Sequence, residues 1–250
     1  MHPPYPEHPL RQALTAELHV RTFEPLRAPA QVVHLAYLSG QRGSGVNVRH
    51  LHALLQRFGV EAPEDPGQHF FVDLGDLRLR WERHTAFVTY TFARFGAFSR
   101  PFAYSPLDDL PADWLAALPG EVVTTALLAL EPRGAAERSP SALAALFDGN
   151  PVLGSEVAGG NAVVWSDLRI DAQGYGRILV RDVDLSDGQA GRLVKRILDI
   201  NAYRAMALLG LPLAREASRI LTRAERRLAD VAARMPVGDR DMREADSAGM

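Results

Sequence analysis

Residues 69–92 read HFFVDLGDLRLRWERHTAFVTYTF, and this stretch decides the fold class. Its first two apolar runs flank a short polar turn at Gly75 and Asp76, a pattern typical of a β-hairpin. From residue 85 to residue 92 the chain alternates between two strand faces, one with three threonines and a phenylalanine at residues 85, 87, 89 and 91, and the other with apolar and aromatic side chains at residues 86, 88, 90 and 92. The stretch therefore predicts a hairpin followed by a further strand.

Other segments extend this sheet and place helices around it. A second hairpin is predicted from residues 162–170 and 175–181, which are joined by a turn at Asp171 to Gly174. Asn47 and Gly59 are expected to cap and end a helix, and Ser139 followed by Pro140 is expected to begin another. The remaining predicted strands cover residues 31–38 and 121–130, and the predicted helices cover residues 9–20, 47–58, 112–118 and 140–147. The sequence thus predicts an α+β fold with a mixed, largely antiparallel sheet, built from two hairpins and flanked by helices.

A long helical arm follows the predicted sheet. Ser186 is a suitable N-cap, and the helical pattern continues to about Met235, where Pro236 stops it. Pro212 lies inside this pattern and is expected to kink it. We therefore predict an α+β domain over residues 1–185, a helical arm over residues 186–235 and a disordered polar tail over residues 236–250.

Composition and charge exclude several classes of protein. The chain has no cysteine, which excludes disulfide frameworks, iron–sulfur clusters and thiol nucleophiles. Net charge is −2, but residues 1–185 sum to −5 and residues 186–235 to +5, and such an acidic body opposes nucleic-acid binding. The first residues lack the features of a signal peptide, and the longest apolar stretch is shorter than a membrane span. The sequence predicts a soluble, cytoplasmic protein without a nucleic-acid partner.

Candidate sites for metals, phosphates and catalysis were tested by spacing. No two of the eight histidines stand at the i, i+3 or i+4 spacing that would let a helix bind one ion, and the glycine loop at residues 40–45 lacks the lysine of a phosphate loop. We therefore expect no metal and no cofactor. Glu82 and His84 share one strand face, and together with Asp167 and Arg169 they are the weak catalytic candidates, suited to a small polar or anionic substrate.

The predicted arm carries two distinct stripes of side chains. Spacings of four and three residues define an apolar heptad seam, and a basic stripe runs along another side. An anionic membrane surface, the acidic body or another subunit would each suit this arrangement, and so would packing on its own domain. The seam consists of Ala217, Leu221, Ala224, Leu228, Val231 and Met235, and the basic stripe of Arg215, Arg219, Arg223, Arg226 and Arg227.

With these segments identified, the chain resembles a bacterial family of uncharacterised membrane-anchored proteins, domain of unknown function 3422, over residues 8 to about 240. The residues that carry the resemblance include His8-Pro9-Leu10-Arg11, Trp81-Glu82-Arg83-His84-Thr85, Leu118-Pro119-Gly120-Glu121-Val122, Gly176-Arg177-Ile178-Leu179-Val180 and Glu225-Arg226-Arg227-Leu228. The resemblance implies that longer relatives continue into membrane segments, before which this chain is expected to stop. No biochemical role comes with it.

Two functional hypotheses remain open at this point. The first is a cytoplasmic interaction or sensory domain that forms a homo-oligomer through the arm, and it rests on the apolar seam, the basic stripe and the lack of a catalytic signature. The second is an enzyme that uses Glu82, His84, Asp167 and Arg169. If these side chains do not converge on one concave pocket, the enzyme hypothesis fails.

Overall fold

The structure is a computed structural model that describes residues 6–9, 11, 23–39 and 43–234. The predicted helix over residues 9–20 falls almost wholly outside the described residues, and the predicted tail over residues 236–250 falls wholly outside them. So does Met235, the last member of the predicted apolar seam.

Eight strands form one mixed sheet with the order β2-β3-β4-β1-β5-β8-β7-β6. All neighbouring strands are antiparallel except β5 and β8, which are parallel. The predicted fold class, a mixed and largely antiparallel α+β sheet with flanking helices and a long C-terminal helix, is confirmed. The strands are β1 (Ala30–Leu38), β2 (His69–Leu74), β3 (Leu77–Arg83), β4 (Val88–Phe95), β5 (Glu121–Glu131), β6 (Leu153–Val157), β7 (Ala162–Ser166) and β8 (Gly176–Asp182).

Within the described ranges, five α-helices accompany the sheet, and one of them begins earlier than the sequence predicts. Asn47 does not cap that helix, because it lies inside it, where its Oδ1 accepts a hydrogen bond of 3.0 Å from the Tyr37 hydroxyl. Ser139 caps its helix as predicted, since its Oγ accepts from the Ala142 backbone N–H at 3.2 Å. The helices are α1 (Gly43–Arg57), α2 (Ala112–Ala116), α3 (Pro140–Leu146), α4 (Asp187–Leu209) and α5 (Leu211–Arg234).

Alternation along the strands gives the sheet two apolar faces, each covered by a helix. On the face that we call the α1 face, Tyr37 and Trp81 pack with Leu54 of α1 in one buried cluster. On the opposite face, the α4 face, Val32 packs with Leu198 of α4 in a second cluster. Because β1 lies in the middle of the sheet, side chains from both of its faces are buried, which explains its nearly continuous apolar sequence.

Helix α4 is held on the sheet by a stripe of small and medium apolar side chains. Ala190, Val194, Leu198 and Ala202 recur every four residues and are all at most 3% exposed, so that they face the sheet along one side of the helix. Gly191 lies beside this stripe. A Cβ atom at Gly191 would stand 2.0 Å from the carbonyl oxygen of residue 24, so only glycine allows the preceding segment to pass this close.

Two compact units can be distinguished, residues 1–205 and residues 206–250. This boundary lies inside α4 and differs from the boundary predicted at residue 185, because the first four turns of α4 belong to the core of the larger unit. The helical path is interrupted at Gly210, two residues before the predicted kink. Pro212 falls in the first turn of α5, where its missing N–H removes no helical hydrogen bond.

Among the described residues, the helical run from Asp187 to Val231 is long and apolar enough, by length and composition alone, to cross a membrane. In the window that passes this test 11% of the residues are buried, and one such helix is weak evidence for a membrane span.

Candidate functional site

A cluster of buried charges lies on the α4 face of the sheet, where apolar packing would be the ordinary choice. Arg80 and Glu82 of β3 are 8% and 5% exposed. The guanidinium of Arg80 contacts the Glu82 carboxylate through two nitrogens, Nη2 and Nε, each 3.0 Å from one of its oxygens. Through Nη1, Arg80 also donates a hydrogen bond of 2.5 Å to Glu24. Because two charges with good geometry offset their loss of hydration, this bidentate pair can remain ionised under the helix.

Helix α4 adds a second ion pair to the cluster. Lys195 Nζ donates to Asp199 Oδ2 at 2.6 Å and lies 3.6 Å from Glu82 Oε1. Lys195 is the only lysine in a chain that carries 27 arginines, and its side chain is only 12% exposed. A compact ammonium group can be buried where the larger planar guanidinium would not fit. This size difference is a reason for a lysine at residue 195 in an otherwise arginine-rich chain.

The ionisation of Glu82 is fixed by its cationic neighbours. Burial alone would raise the pKa of the Glu82 carboxyl, but the Arg80 hydrogen bond and the charges of Arg80 and Lys195 outweigh it and lower that pKa to about 2. For Arg80, burial opposes the charged form, and the contacts with the two glutamates raise its pKa above the ordinary value. Both groups are therefore charged across the physiological pH range.

His34 of β1 lies beside this cluster and is neutral. Its Nδ1 is 2.8 Å from Thr91 Oγ1, whereas its Nε2 is sealed from solvent and has no hydrogen-bond partner in the part of the chain that the structure describes. Burial lowers the pKa of His34 to about 4, against the smaller opposite effects of the Asp199 and Glu82 carboxylates. A buried ring nitrogen without a hydrogen-bond partner destabilises the folded protein. A ligand that forms a hydrogen bond with Nε2 of His34 would remove this cost.

A small cavity connects these groups. Its volume is about 50 Å³, and a single buried water needs roughly 10–15 Å³, so the cavity can hold about three to five small atoms or waters. Polar and apolar side chains both line it. The polar lining consists of Glu24, His34, Arg78, Arg80, Glu82, Thr91, Lys195 and Asp199.

His84 lies just beyond β3 and ties the sheet to α4. Its Nδ1 is 3.1 Å from the Tyr203 hydroxyl, and its ring stacks on Phe87 with the centroids 4.1 Å apart. Tyr203 also meets the Phe87 ring edge-on at 5.2 Å. Glu82 and His84 thus share the α4 face as predicted, but His84 is engaged in holding the last turns of α4.

Asp167 and Arg169 do not join Glu82 and His84, so the predicted four-residue catalytic cluster does not form. Four strands separate β3 from β7, which places Glu82 roughly 24 Å from the end of β7 at ordinary strand spacing. Asp167 instead contacts Arg177, whose guanidinium lies on the α1 side of the sheet near Phe147. It also accepts a hydrogen bond from Asn150. Asp167 is therefore a structural anchor, and Arg169 is exposed.

The predicted interaction residues of the arm lie together on α5. Every described side chain from residue 211 to residue 231 is exposed, including Leu221 at 61%, Leu228 at 69% and Val231 at 53%. Arg219 lies 3.4 Å from Glu216 one turn away. The remaining arginines of the stripe are solvent-exposed like Arg219.

No group of three or more potential metal ligands occurs among the described residues. His50, one of the eight histidines weighed from the sequence, bonds through Nδ1 to the Tyr90 hydroxyl at 2.9 Å and through Nε2 to the Trp114 carbonyl at 3.1 Å. Its ring stacks on Trp114 with the centroids 4.3 Å apart, which makes it a packing residue.

Sequence reasoning missed most of the charged cavity. Glu82 was identified, but Glu24, His34, Lys195 and Asp199 come from segments far apart in the chain. The available signal was the single lysine, which the arginine-rich composition makes conspicuous.

Comparison with known proteins gives a family and no function. A family model described as "Protein of unknown function (DUF3422)" matches residues 6–248. No curated protein and no solved structure matches the chain. Because the family model covers nearly the whole chain, the protein belongs to the family of proteins of unknown function DUF3422.

Proposed function

We propose that this chain is an interaction domain that self-associates through helix α5, with a second copy of the same chain as its partner. The observation that carries the proposal is the amphipathic character of α5 combined with the exposure of every side chain described from residue 211 to residue 231. An isolated helix is marginal in water, and most helical stability in proteins comes from burying an apolar face. In the described part of the chain, α5 has no such burial, so a second copy would supply what is missing.

The apolar face of α5 has the geometry of a helix–helix contact. Ala217, Leu221, Ala224, Leu228 and Val231 are separated by alternating steps of four and three residues, as in a coiled-coil seam. At about 100° per residue they occupy a stripe roughly 120° wide once the flanking leucine and isoleucine positions are included. Small residues in the seam alternate with leucines, which allows two such faces to interdigitate.

Four of the five arginines in the basic stripe lie on the side of α5 away from the seam, whereas Arg227 lies beside Ile220 at the edge of the apolar stripe. Arg219 and Arg223 lie nearly opposite Leu221 on the helical wheel, so two helices that met through their seams would keep these arginines apart and in water. This arrangement limits the repulsion between two paired helices to the Arg227 side chains at the edge of the seam. It also gives the assembly a positively charged exterior.

The expected association is weak, and the exposed fractions show why. Fully burying a leucine or valine side chain contributes about 1.5–3 kcal/mol. With the exposures of 61%, 69% and 53% for Leu221, Leu228 and Val231, six side chains from two helices contribute roughly 5–11 kcal/mol. Association itself costs about 4–15 kcal/mol. We therefore expect a dimerisation Kd of about 10 µM or weaker.

Light scattering coupled to size-exclusion chromatography tests the proposal on the whole chain. The mass should rise from monomer towards dimer as the concentration increases from about 1 µM to about 1 mM, the range that this energy balance implies. The double variant Leu221→Asp and Leu228→Asp should stay monomeric throughout. The matched control, Thr222→Asp with Ala229→Asp, introduces the same two charges off the apolar stripe and should still associate.

Two results would contradict the proposal. One is a wild-type chain that stays monomeric at the highest concentration, and the other is equal association of the two double variants. Flotation with phosphatidylserine vesicles tests the alternative partner of α5, an anionic membrane surface. Vesicle binding by a chain that never self-associates would assign α5 to an anionic membrane surface and overturn self-association.

A further inference from the structure

We propose that the cavity between β3, β1 and α4 is a binding site for a small carboxylate, held by Lys195 and His34. The site lies wholly within residues 23–199 and uses no residue of α5, so it is independent of self-association. Either proposal can fail without the other.

The size of the cavity restricts the ligand. A volume of about 50 Å³ corresponds to three to five small atoms at roughly 10–15 Å³ each. This range fits formate or acetate and excludes an amino acid with a side chain, a sugar or a nucleotide.

The lining combines donors with carboxylates that are ion-paired. Each carboxylate in the lining already faces a cation, since Glu24 and Glu82 contact Arg80 and Asp199 contacts Lys195. An ammonium group has three N–H donors, and Asp199 is the one carboxylate within hydrogen-bond distance of Lys195 Nζ, because Glu82 lies at 3.6 Å. The ligand group that these donors call for is an acceptor.

His34 supplies the second polar contact, which a ligand reaches when the side chains that seal Nε2 from the cavity move aside. Its Nδ1 is taken by Thr91 at 2.8 Å, and its Nε2 has no partner among the residues described. If the threonine hydroxyl donates to Nδ1, the ring proton is on Nε2, which is then a donor as well. Lys195 and His34 therefore favour an oxygen acceptor.

The other walls of the cavity accept a short alkyl group. Val32, Ala93, Val194 and Leu198 line it alongside the charged residues, and each is at most 4% exposed. A cavity with donors on one side and aliphatic carbons on the other is complementary to a carboxylate that carries a methyl group.

Arg78 also lines the cavity. Its guanidinium carbon lies 5.2 Å from the centroid of the Phe71 ring, and its Nε donates to Asp73 at 2.8 Å. The ion pair with Asp73 offsets the charge of Arg78, so Lys195 remains the cation available to the ligand.

Binding an anion here should be accompanied by uptake of a proton. The charges that face His34 are Asp199 and Glu82, which favour its charged form, and Lys195 and Arg80, which oppose it. Burial is the largest influence and keeps the pKa of His34 at about 4. A bound carboxylate adds a negative charge at close range, which raises the pKa of His34. The ligand would therefore bind together with one proton.

Calorimetric titration of the full chain with acetate tests this inference. A ligand of four heavy atoms has a limited ceiling on affinity, so we expect a Kd of roughly 0.1–10 mM. Repeating the titration at pH 6 in two buffers with different ionisation enthalpies gives the number of protons taken up, which should approach one. The affinity should fall by up to about tenfold per pH unit as the pH is raised from 6 to 8.

Three variants locate the site. His34→Gln should abolish the proton uptake and weaken binding about tenfold or more, and Lys195→Met should weaken it at least as much. Ala93→Val narrows the cavity without altering any charge and should also prevent binding. The control His50→Gln changes a buried histidine on the other face of the sheet and should bind acetate as the wild type does.

Each other outcome overturns the proposal. Absence of saturable acetate binding removes the site, and binding that survives in the His34 and Ala93 variants places it elsewhere. Equal binding of acetamide, which has the same shape without the charge, refutes the carboxylate class. Lys195→Met removes the cation that faces Asp199 and Glu82, so the folding of this variant is checked by circular dichroism. If Lys195→Met is unfolded, the result with Ala93→Val is used to judge the proposal.

Discussion

Replacing His34 with glutamine should remove a specific part of the protein's dependence on pH. His34 is 2% exposed, and burial lowers its pKa from 6.5 in the unfolded chain to about 4 in the folded protein. Between these two pH values the unfolded chain binds a proton that the folded protein excludes. The folded state is therefore fully favoured above pH 6.5 and loses stability as the pH falls towards 4.

The size of this loss follows from the two pKa values. Each unit of pKa difference corresponds to about 1.4 kcal/mol. Between pH 7 and pH 5, His34 should account for a decrease of about 2 kcal/mol in the free energy of unfolding, and by pH 4 for about 3 kcal/mol. Glu82 contributes little between pH 7 and pH 5, because its folded pKa is about 2 and its stabilisation is lost as the pH falls below its unfolded value of about 4.5. By pH 4 it adds a further loss of about 1 kcal/mol.

Urea denaturation at pH 7, 6 and 5 in buffers without carboxylates measures this effect. Glutamine can still bond to the Thr91 hydroxyl, but it does not titrate, so the slope of stability against pH should be smaller in His34→Gln than in the wild type. The difference in slope isolates His34 from His50, whose pKa is also lowered by burial. Equal slopes, within the roughly 10–15% uncertainty of extrapolated free energies, would refute the reasoning.

Two further substitutions test the packing beneath α4, each measured as a change in the free energy of unfolding. Glu82→Gln should destabilise the protein by roughly 3–5 kcal/mol because it leaves buried cations without their carboxylate. Asp113→Asn, which breaks the exposed ion pair between Asp113 and Arg57 of α1, should change stability by less than about 1 kcal/mol. Similar losses for the two would contradict the burial argument. Gly191→Ala should lower the thermal midpoint markedly, since the new Cβ would stand 2.0 Å from the Glu24 carbonyl oxygen. The control is Gly188→Ala in the same helix, where the new Cβ would have only ordinary contacts at 3.8 Å or more. It should leave stability unchanged or raise it by about 0.5–1 kcal/mol. If the control also lowers the thermal midpoint, the close approach at residue 191 is not the cause of the destabilisation.

The sequence predicted those parts of the fold that depend on local pattern. The alternation from residue 85 to residue 92 indicated a strand, and Gly59 with a φ of +66° ends α1 as expected. Strand β6 was missed because it lies at an edge of the sheet and its residues are mostly exposed, which removes the apolar signal. Asn47 was misread as a cap, because a buried asparagine that accepts from Tyr37 has the same sequence signature as an N-cap.

The candidate site could not be predicted because it depends on the order of the strands. Glu82 and Asp167 each follow a strand-like pattern, and no local rule indicates that four strands separate them. His34 and Lys195 are brought together by α4 crossing the sheet, after a chain separation that carries no periodic signal. The single lysine was visible in the composition, but its burial was not.

That single lysine also gives the protein a natural chemical reporter. Amine-reactive reagents acylate unprotonated, accessible amines, and the chain offers them only Lys195 and the terminal amino group. Since Lys195 is 12% exposed and ion-paired with Asp199, its rate of acylation in the folded protein would follow how often α4 lifts from the sheet. Mass spectrometry of one labelled site could thus give the opening free energy of this helix without a mutation, a probe or a spectroscopic label.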